Sequence, residues 1–527
     1  MKHRLCIETL ASLVAVALFM GSGFARAAES PVAPAPSEFS TARSLTLTDV
    51  KALTERLTSD DPVVHDQALH TVLEVGDASL LALLDEALAD ADRATRVAVK
   101  PVKDLVRNKL NLVSETDDVR RSAAADLGTS GQFSAVPWLE QAAVKEPNRW
   151  VRYAMEESVA LLQLTSGDRT LKARAATTLG ELQSQNGLPA LKEFVQQAAS
   201  DQAMSEANQP ALRAANTAIE RIELWSTWAN VFETVFRGIS LSSILLMMSV
   251  GLAIVFGLMG VINMAHGELM MVGAYATFVT QELFRAFLPS NLFEAYFLVS
   301  LPVSFLVAGI CGLILEATVI RFLYGRPLET MLATWGVSLV LIQLARVYFG
   351  DLTAVTAPAW LSGGAQVMVG VYLPYNRLFI IGLSILCVTG IYALLFRSNL
   401  GLRVRAVTQN RNMSSCLGIP TRKIDAYTFA FGSGLAGLAG CALTLVGNVE
   451  PGLGQNYIVD SFMVVVTGGV GKLAGTIVAA LGIGSLNKFL EPSFGAVYGK
   501  VLILVLVILF LQRRPSGLFA LKGRHAD

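Results

Sequence analysis

Three polar side chains stand close together in the sequence where a long apolar run ends: Asn263, His266 and Glu268. Residues 238–265 contain no charged side chain and no histidine, and as a helix this length is enough to cross a bilayer of about 30 Å. A histidine and a glutamate are costly in hydrocarbon, so they indicate a membrane interface or a polar cavity. The patch is therefore either a polar turn between two membrane helices, the simpler interpretation, or part of a permeation path or inner gate.

A second group of polar side chains lies within a later apolar segment, residues 329–349. Thr334, Trp335, Ser338 and Gln343 could line a path with neutral polar groups, which suits a small uncharged or zwitterionic solute. The apolar segments hold no internal series of Asp, Glu and Lys residues of the kind that a proton-coupled carrier needs. The residues that we predict for the pathway or gate are Asn263, His266, Glu268, Thr334, Trp335 and Gln343.

The distribution of charge divides the chain into two parts. Residues 238–512 are more than half of the 527 residues but hold only 24 of the 84 charged ones. This indicates a membrane domain preceded by a water-soluble part. The net charge of zero gives no indication of nucleic-acid binding. None of the five cysteines has the spacing of a zinc site or of a disulfide framework, so we predict no metal and no cofactor.

The N-terminus has the features of an exported protein. Residues 1–27 combine a basic start, a short apolar core and an Ala-Arg-Ala cleavage site, which predicts a signal peptide; an uncleaved signal anchor is the alternative. Residues 28–44 are a Pro/Ala-rich linker. We therefore predict the order signal peptide 1–27, linker 28–44, periplasmic helical domain 45–228, transmembrane domain 229–518 and cytoplasmic tail 519–527.

The soluble part contains an internal repeat. The segment ending at Gly128 and the segment ending at Gly180 have similar sequences, and a proline follows each glycine after nine residues. Each unit is predicted to be a helix, a glycine turn and a second helix, which buries its apolar stripe by stacking on its neighbours. The pattern resembles HEAT-type repeats. Such a domain is either a binding surface for a periplasmic partner or an appended cap without a ligand.

Nine apolar segments are predicted to be membrane helices: 238–262, 268–287, 296–320, 329–349, 376–396, 424–446, 460–471, 474–489 and 498–512. The seventh and eighth are short and could form a broken or re-entrant pair, so the predicted count is eight or nine. Basic residues follow the third, fifth, seventh and ninth segments, and basic loops stay in the cytoplasm. The chain is therefore predicted to enter the bilayer from the periplasm and to end in the cytoplasm.

The sixth segment is rich in small residues spaced four apart. One row is Gly432, Ala436 and Gly440, and the next row is Ser433, Gly437 and Cys441. Rows of small residues let helix backbones approach closely in lipid. We therefore predict that this helix lies in the centre of the bundle or at a contact between subunits.

The sequence GGVGK at residues 468–472 is not a phosphate-binding loop. Val466 stands where the first glycine of that motif belongs, and Leu473 follows the lysine in place of Ser or Thr. The chain thus has no nucleotide site of its own and no catalytic motif. We predict that it is not an enzyme and that any energy source lies on another polypeptide.

Two stretches resemble one protein family. Residues 257–275 contain an N-x-A-H-G-E segment after the first membrane helix, and residues 401–423 form a basic loop that begins G-x-R-x-R-A and reaches L-G-I before Pro420. Both are similar to signatures in the permeases of branched-chain amino acid type ATP-binding-cassette importers. The resemblance covers about residues 232–518. It implies a multi-span helical bundle that works with a second permease subunit, two ATP-binding subunits and a periplasmic solute-binding protein.

In this family the second loop presents a short coupling helix to the ATPase. Carried over residue by residue, the coupling residues are Arg403, Arg405, Gln409, Asn410, Met413, Leu417 and Gly418. The alternative is a basic loop that only fixes the orientation in the membrane. Met413 and Leu417 are one helical turn apart, so together they can seat in a groove of a partner.

The resemblance also bears on the solute and on the fold class. A long exported extension with helical repeats is similar to the urea-type permease subunit of proteobacteria, so urea is the predicted solute, with branched-chain amino acids or short amides as the alternative. A membrane-anchored scaffold or sensor is a further alternative from another class. The predicted fold is all-α: a polytopic bundle of about eight or nine spans in the inner membrane, preceded by a HEAT-like helical domain.

Overall fold

The structure is a computed structural model, and it describes residues 47–58, 61, 64, 67–69, 71–72, 77–89, 91–200 and 209–519. The predicted signal peptide and linker, and the tail beyond Phe519, lie outside these residues. The chain divides into two compact units, one ending at Ala229 and the other beginning at Asn230. The long helix α9 (Gln209–Met259) contributes residues to both.

In the described residues of the first unit, all regular secondary structure is helical. Its helices are α1 (Leu47–Leu57), α2 (Ala78–Ala89), α3 (Arg93–Asn111), α4 (Asp117–Thr129), α5 (Val136–Lys145), α6 (Arg149–Leu164), α7 (Arg169–Glu181), α8 (Gly187–Ser200) and the start of α9. Asp92, Asn148 and Asp168 cap the first turns of α3, α6 and α7 through their side-chain oxygens. Such caps satisfy backbone N–H groups that a helix start leaves unpaired.

The repeated segments form the helix pairs α4–α5 and α7–α8, but the prediction that Gly128 and Gly180 make the turn is wrong. Both glycines lie inside the last turn of a helix, in α4 and α7. A Cβ atom on Gly128 would lie 2.6 Å from the Cβ of Ser158, and one on Gly180 would lie 2.8 Å from the Cβ of Ala218. The glycines are thus needed for close packing of neighbouring helices. The turns come later, and Gln183 there has a positive φ of 54°.

The described residues of the second unit form a helical bundle with one small hairpin. After α9 come α10 (His266–Phe287), α11 (Tyr296–Thr318), α12 (Pro327–Phe349), β1 (Gly364–Met368), β2 (Val371–Pro374), α13 (Tyr375–Arg397), α14 (Asn399–Gln409), α15 (Arg411–Cys416), α16 (Thr421–Leu443), α17 (Leu453–Gly468) and α18 (Leu473–Arg513). The two strands are antiparallel, with Gln366 opposite Tyr372. A separate bridge joins Thr353 to Val449, so the segments after α12 and α16 are held together.

Six of the described helical segments are long and apolar enough to cross a membrane. They are Gln209–Gly257, Phe293–Phe322, Pro327–Phe349, Tyr375–Arg397, Thr421–Leu443 and Leu473–Arg513. The protein is therefore an all-α, multi-pass membrane protein, while the predicted count of eight or nine complete spans is not confirmed. Helix α17 has 16 residues, about 24 Å at 1.5 Å per residue, which is less than the hydrocarbon thickness of about 30 Å.

The last helix combines two predicted spans. Segments 474–489 and 498–512 both lie in α18, on either side of Gly495, which has φ 77° and interrupts the helical backbone. Pro492 stands three residues before this break. A proline and a glycine with positive φ are the expected causes of a sharp bend in a helix.

Helix α16 packs against three other helices through its two rows of small residues. In the first row, a Cβ on Gly432 would lie 2.7 Å from Val255 of α9, Ala436 is fully buried, and Gly440 faces the backbone of Met270 in α10. In the second row, Gly437 and Ser433 face α11, and the Sγ of Cys441 lies 3.3 Å from the Oγ of Ser300. Both rows therefore face helices of the same chain.

Candidate functional site

The polar patch lies beside the middle of the apolar part of α9. The Nε2 atom of His266, the first residue of α10, lies 3.3 Å from the backbone carbonyl of Met248. Met248 is eleven residues before the end of α9 at Met259, which is about 16 Å along the helix axis. The non-helical residues 260–265 therefore run back along α9, and α10 begins well inside the bundle.

Asn263 and Met264 hold this non-helical segment in place. The Oδ1 of Asn263 accepts a hydrogen bond of 3.0 Å from the backbone N–H of Ala265, next to the start of α10. The backbone N–H of Met264 donates to the Oγ1 of Thr334 at 3.1 Å, so α12 is attached to the same segment. The Nδ2 of Asn263 is buried and has no hydrogen-bond partner among the described protein residues.

Glu268 is a buried carboxylate with one bonded and one unbonded oxygen. Its side chain is 1% exposed, and its Oε1 accepts a hydrogen bond of 2.7 Å from the hydroxyl of Ser338. Its Oε2 points at Gly454 in the first turn of α17 and has no partner among the described residues. Because the N-termini of α10 and α17 meet here, two positive helix ends lie near the carboxylate and offset part of its cost of burial.

His266 is fully buried, and its position explains why residue 251 is a glycine. A Cβ atom on Gly251 would lie 3.2 Å from the Nε2 of His266 and 2.5 Å from the carbonyl oxygen of Gly432. Glycine at 251 therefore leaves room for the imidazole between α9 and α16. The Nδ1 of His266 has no hydrogen-bond partner among the described residues.

Only part of the predicted path on α12 reaches this site. Thr334 and Ser338 are buried and face the patch, whereas Trp335 and Gln343 lie on the exposed side of the helix. Residues four apart lie on one face of a helix, so the spacing from Thr334 to Ser338 could have identified the pair. Gly251 and Gly454 were missed, since nothing in the sequence marks which glycines meet the patch.

The predicted coupling residues form a second, exposed group on α14 and α15. Ser398 caps α14, and the Oδ1 of Asn410 accepts from the N–H of Met413 at 2.9 Å to cap α15. Gly418 ends this region with a positive φ of 81°. Met413 and Leu417 are 59% and 75% exposed, so two large apolar side chains extend from a short capped helix.

The remaining predicted coupling residues are exposed, but a neighbouring arginine is not. Arg403, Gln409 and Asn410 are exposed, and Arg405 is exposed with its guanidinium 5.2 Å from the ring centroid of Phe396. Arg411, which was not predicted as a coupling residue, points inward and pairs with Asp425 of α16 at 2.5 Å. The region therefore has an outer apolar and basic surface and an inner ionic attachment.

Comparison with known proteins identifies the family. Residues 234–511 match the family described as "Branched-chain amino acid transport system / permease component". The chain belongs to this family. The matched residues include all helices from α10 to α17, with most of the membrane part of α9 and all but the end of α18.

Individual relatives agree with this membership. The chain is 30% identical over 288 residues to the Pseudomonas aeruginosa protein named "High-affinity branched-chain amino acid transport system permease protein BraD", covering 54% of this chain and 93% of that one. It is 25% identical over 305 residues to the Escherichia coli K12 permease LivH, covering 54% and 94%. It is also 26% identical over 160 residues to the ribose import permease RbsC of Bacillus subtilis, covering 27% and 49%. These relatives are transport permeases and not enzymes.

Proposed function

We propose that the chain is the membrane-spanning subunit of an ATP-binding-cassette importer for branched-chain amino acids or other small zwitterions. The observation that carries this proposal is the similarity to the Pseudomonas permease over 93% of that protein's length. The matched residues contain both the buried polar patch and helices α14 and α15. ATPase subunits and a solute-binding protein are the partners that such a permease needs.

In this proposal the polar patch is the solute path or gate. Polar groups near the middle of a membrane bundle, at a point where helices begin inside it, are typical of solute sites in transporters. A zwitterion presents an ammonium group and a carboxylate. Glu268 offers a carboxylate oxygen and Asn263 an N–H donor, and neither has a hydrogen-bond partner among the described residues. Trp335 and Gln343 are not part of this path, because their side chains are exposed, whereas those of Thr334 and Ser338 are buried.

Urea is the second candidate solute, and the first unit is the observation that favours it. The Pseudomonas relative is matched over 93% of its length by only 54% of this chain, so it has no room for a comparable extension. An extension of this kind resembles that of urea-type permeases. The family and the named relatives nevertheless favour amino acids over our sequence-based preference for urea.

Deleting the gene should reduce high-affinity uptake of radiolabelled leucine to background and leave urea uptake unchanged. The measurement is initial uptake of each solute in the deletion strain, with the complete chain supplied from a plasmid as the control that restores it. Loss of urea uptake with normal leucine uptake would transfer the proposal to urea.

We further propose that the first unit lies in the periplasm and receives the solute-binding protein, and that α14 and α15 lie in the cytoplasm. The basic residues after the odd-numbered segments support this orientation. Removing residues 45–225 behind the retained signal peptide should weaken capture of the binding protein and lower uptake at limiting solute. Unchanged capture and unchanged uptake would show that the unit is a passive cap.

A further inference from the structure

The short helix α15 is joined to the membrane helices by a buried ion pair. An Nη of Arg411, the first residue of α15, lies 2.5 Å from the Oδ2 of Asp425 in α16. The Asp425 side chain is 6% exposed, whereas that of Arg411 is 36% exposed. The pair therefore connects a surface helix to a carboxylate within the bundle, and removing the cation would leave a buried charge without its partner.

Tyr324 adds a third element to this contact. The guanidinium carbon of Arg411 lies 4.0 Å from the centroid of the Tyr324 ring, which is within the range of a cation–π interaction. Tyr324 lies in the connection between α11 and α12. One side chain of α15 thus contacts α16 and the α11–α12 connection at the same time.

The contacts continue from Tyr324 to the polar patch. Tyr324 packs against a buried apolar cluster that includes Val261 and Ala265. These two residues flank Asn263 in the non-helical segment that leads to α10. The same cluster is contacted by Val337, which precedes Ser338, the hydrogen-bond donor to Glu268. Arg411, Tyr324 and this apolar cluster therefore form a connected series between the exposed helix α15 and residues that neighbour the proposed solute path in the chain.

We propose that Arg411, Asp425 and Tyr324 form a latch that transmits displacement of α15 to residues 260–265 and so to the polar patch. They are positioning residues, since none of them belongs to the proposed solute path or to the exposed ATPase-docking surface. The inference rests on the proposed function and specifies how ATP hydrolysis on a partner moves the path. Without the latch, α15 can still dock on the ATPase, but its movement no longer reaches the segment that carries Asn263.

The test is the number of solute molecules moved per ATP hydrolysed by the reconstituted complex of permease, ATPase and binding protein. Asp425→Asn keeps the side-chain shape and removes the charge. We expect transport per ATP to fall about tenfold while ATP hydrolysis stays within about twofold of wild type, because docking is intact and transmission is lost. Arg411→Lys keeps a cation but loses the planar stacking group, so it should lie between Asp425→Asn and wild type.

Glu329→Gln is the matched control. Glu329 pairs with Arg326 at 3.1 Å at the start of α12, and both side chains are exposed. This variant should keep the wild-type ratio of solute moved to ATP hydrolysed, since an exposed ion pair of this kind contributes little to stability. An unchanged ratio in Asp425→Asn, or an equal fall in Glu329→Gln, would overturn the latch.

A second variant tests the latch without leaving an unpaired buried charge that could prevent folding. Tyr324→Leu keeps an apolar side chain against the cluster and leaves no buried charge, so it should insert normally and still lower the ratio. A proportional fall of transport and ATP hydrolysis in this variant would also overturn the latch. A wild-type complex that moves no solute with ATP would contradict the proposed function, whereas a working wild type with normal variants would contradict only the latch.

Discussion

Glutamate in place of Met413 or Leu417 is expected to abolish solute uptake while the protein still inserts into the membrane. Both side chains are more than half exposed, so the substitution costs the isolated bundle little. In the assembled complex we expect these side chains to fill an apolar groove of the ATPase. An unpaired charge there costs about 3 kcal/mol, which is roughly a hundredfold in affinity. The measurements are uptake and co-purification of the ATPase subunits.

Ser415→Glu is the matched control for this prediction. Ser415 is exposed on the same helix but lies about 200° around the axis from Met413. Glutamate at this position therefore adds the same charge on another face. It should retain most of the uptake. Normal uptake in Met413→Glu and Leu417→Glu would show that this surface does not dock on the ATPase. Cys416 is exposed beside it, and labelling of Cys416 only from outside the cell would place the surface on the wrong side of the membrane.

Local sequence rules predicted a part of this architecture well. The spacing of four residues between small side chains on α16 predicted close approach of backbones, and Gly432 and Gly437 do lie against neighbouring helices. A short helix was expected within residues 401–423, and α15 lies there, with Asn410 as its N-cap and Gly418 following it at a positive φ. Such features depend on residues within one or two turns, which is why the sequence is sufficient to predict them.

The position of the polar patch depends on contacts between distant residues, so the sequence predicted its composition but not its depth. A polar turn after a membrane helix is expected at the membrane surface. Here His266 contacts Met248, and Gly251 leaves the space for its ring. The same limit applies to α12: the sequence marks Thr334, Trp335 and Gln343 as polar, but only packing decides that Trp335 and Gln343 face outward. Gly454 is a further example. It lies thirteen residues after Cys441 and belongs to no motif, so the sequence did not indicate its contact with Glu268.

Gly454→Ala should reduce uptake at least about tenfold and also lower the thermal stability of the protein. A methyl group at this position would overlap the Oε2 of Glu268 and the backbone carbonyl of Gly267. Overpacking of a tight contact costs about 1–3 kcal/mol. Gly452→Ala is the control two residues away, since its Cβ would meet no atom of the described residues within 4 Å and its φ of −83° suits alanine. Uptake and melting temperature are the two measurements, and equal losses in both variants would contradict the prediction.

Comparing Gly454→Ala with Glu268→Gln distinguishes the effect of the carboxylate charge from the effect of the packing around it. Glutamine has the same shape and keeps an oxygen for the Ser338 hydroxyl, so the contact between α10 and α17 should survive and stability should change little. If the carboxylate receives the ammonium group of a zwitterion, Glu268→Gln should raise the KM for leucine strongly at unchanged melting temperature. Gly454→Ala, in contrast, should lower the melting temperature together with uptake. A normal KM in Glu268→Gln would show that Glu268 is not part of the solute path. The close fit at Gly454 would then serve only the packing of α10 against α17.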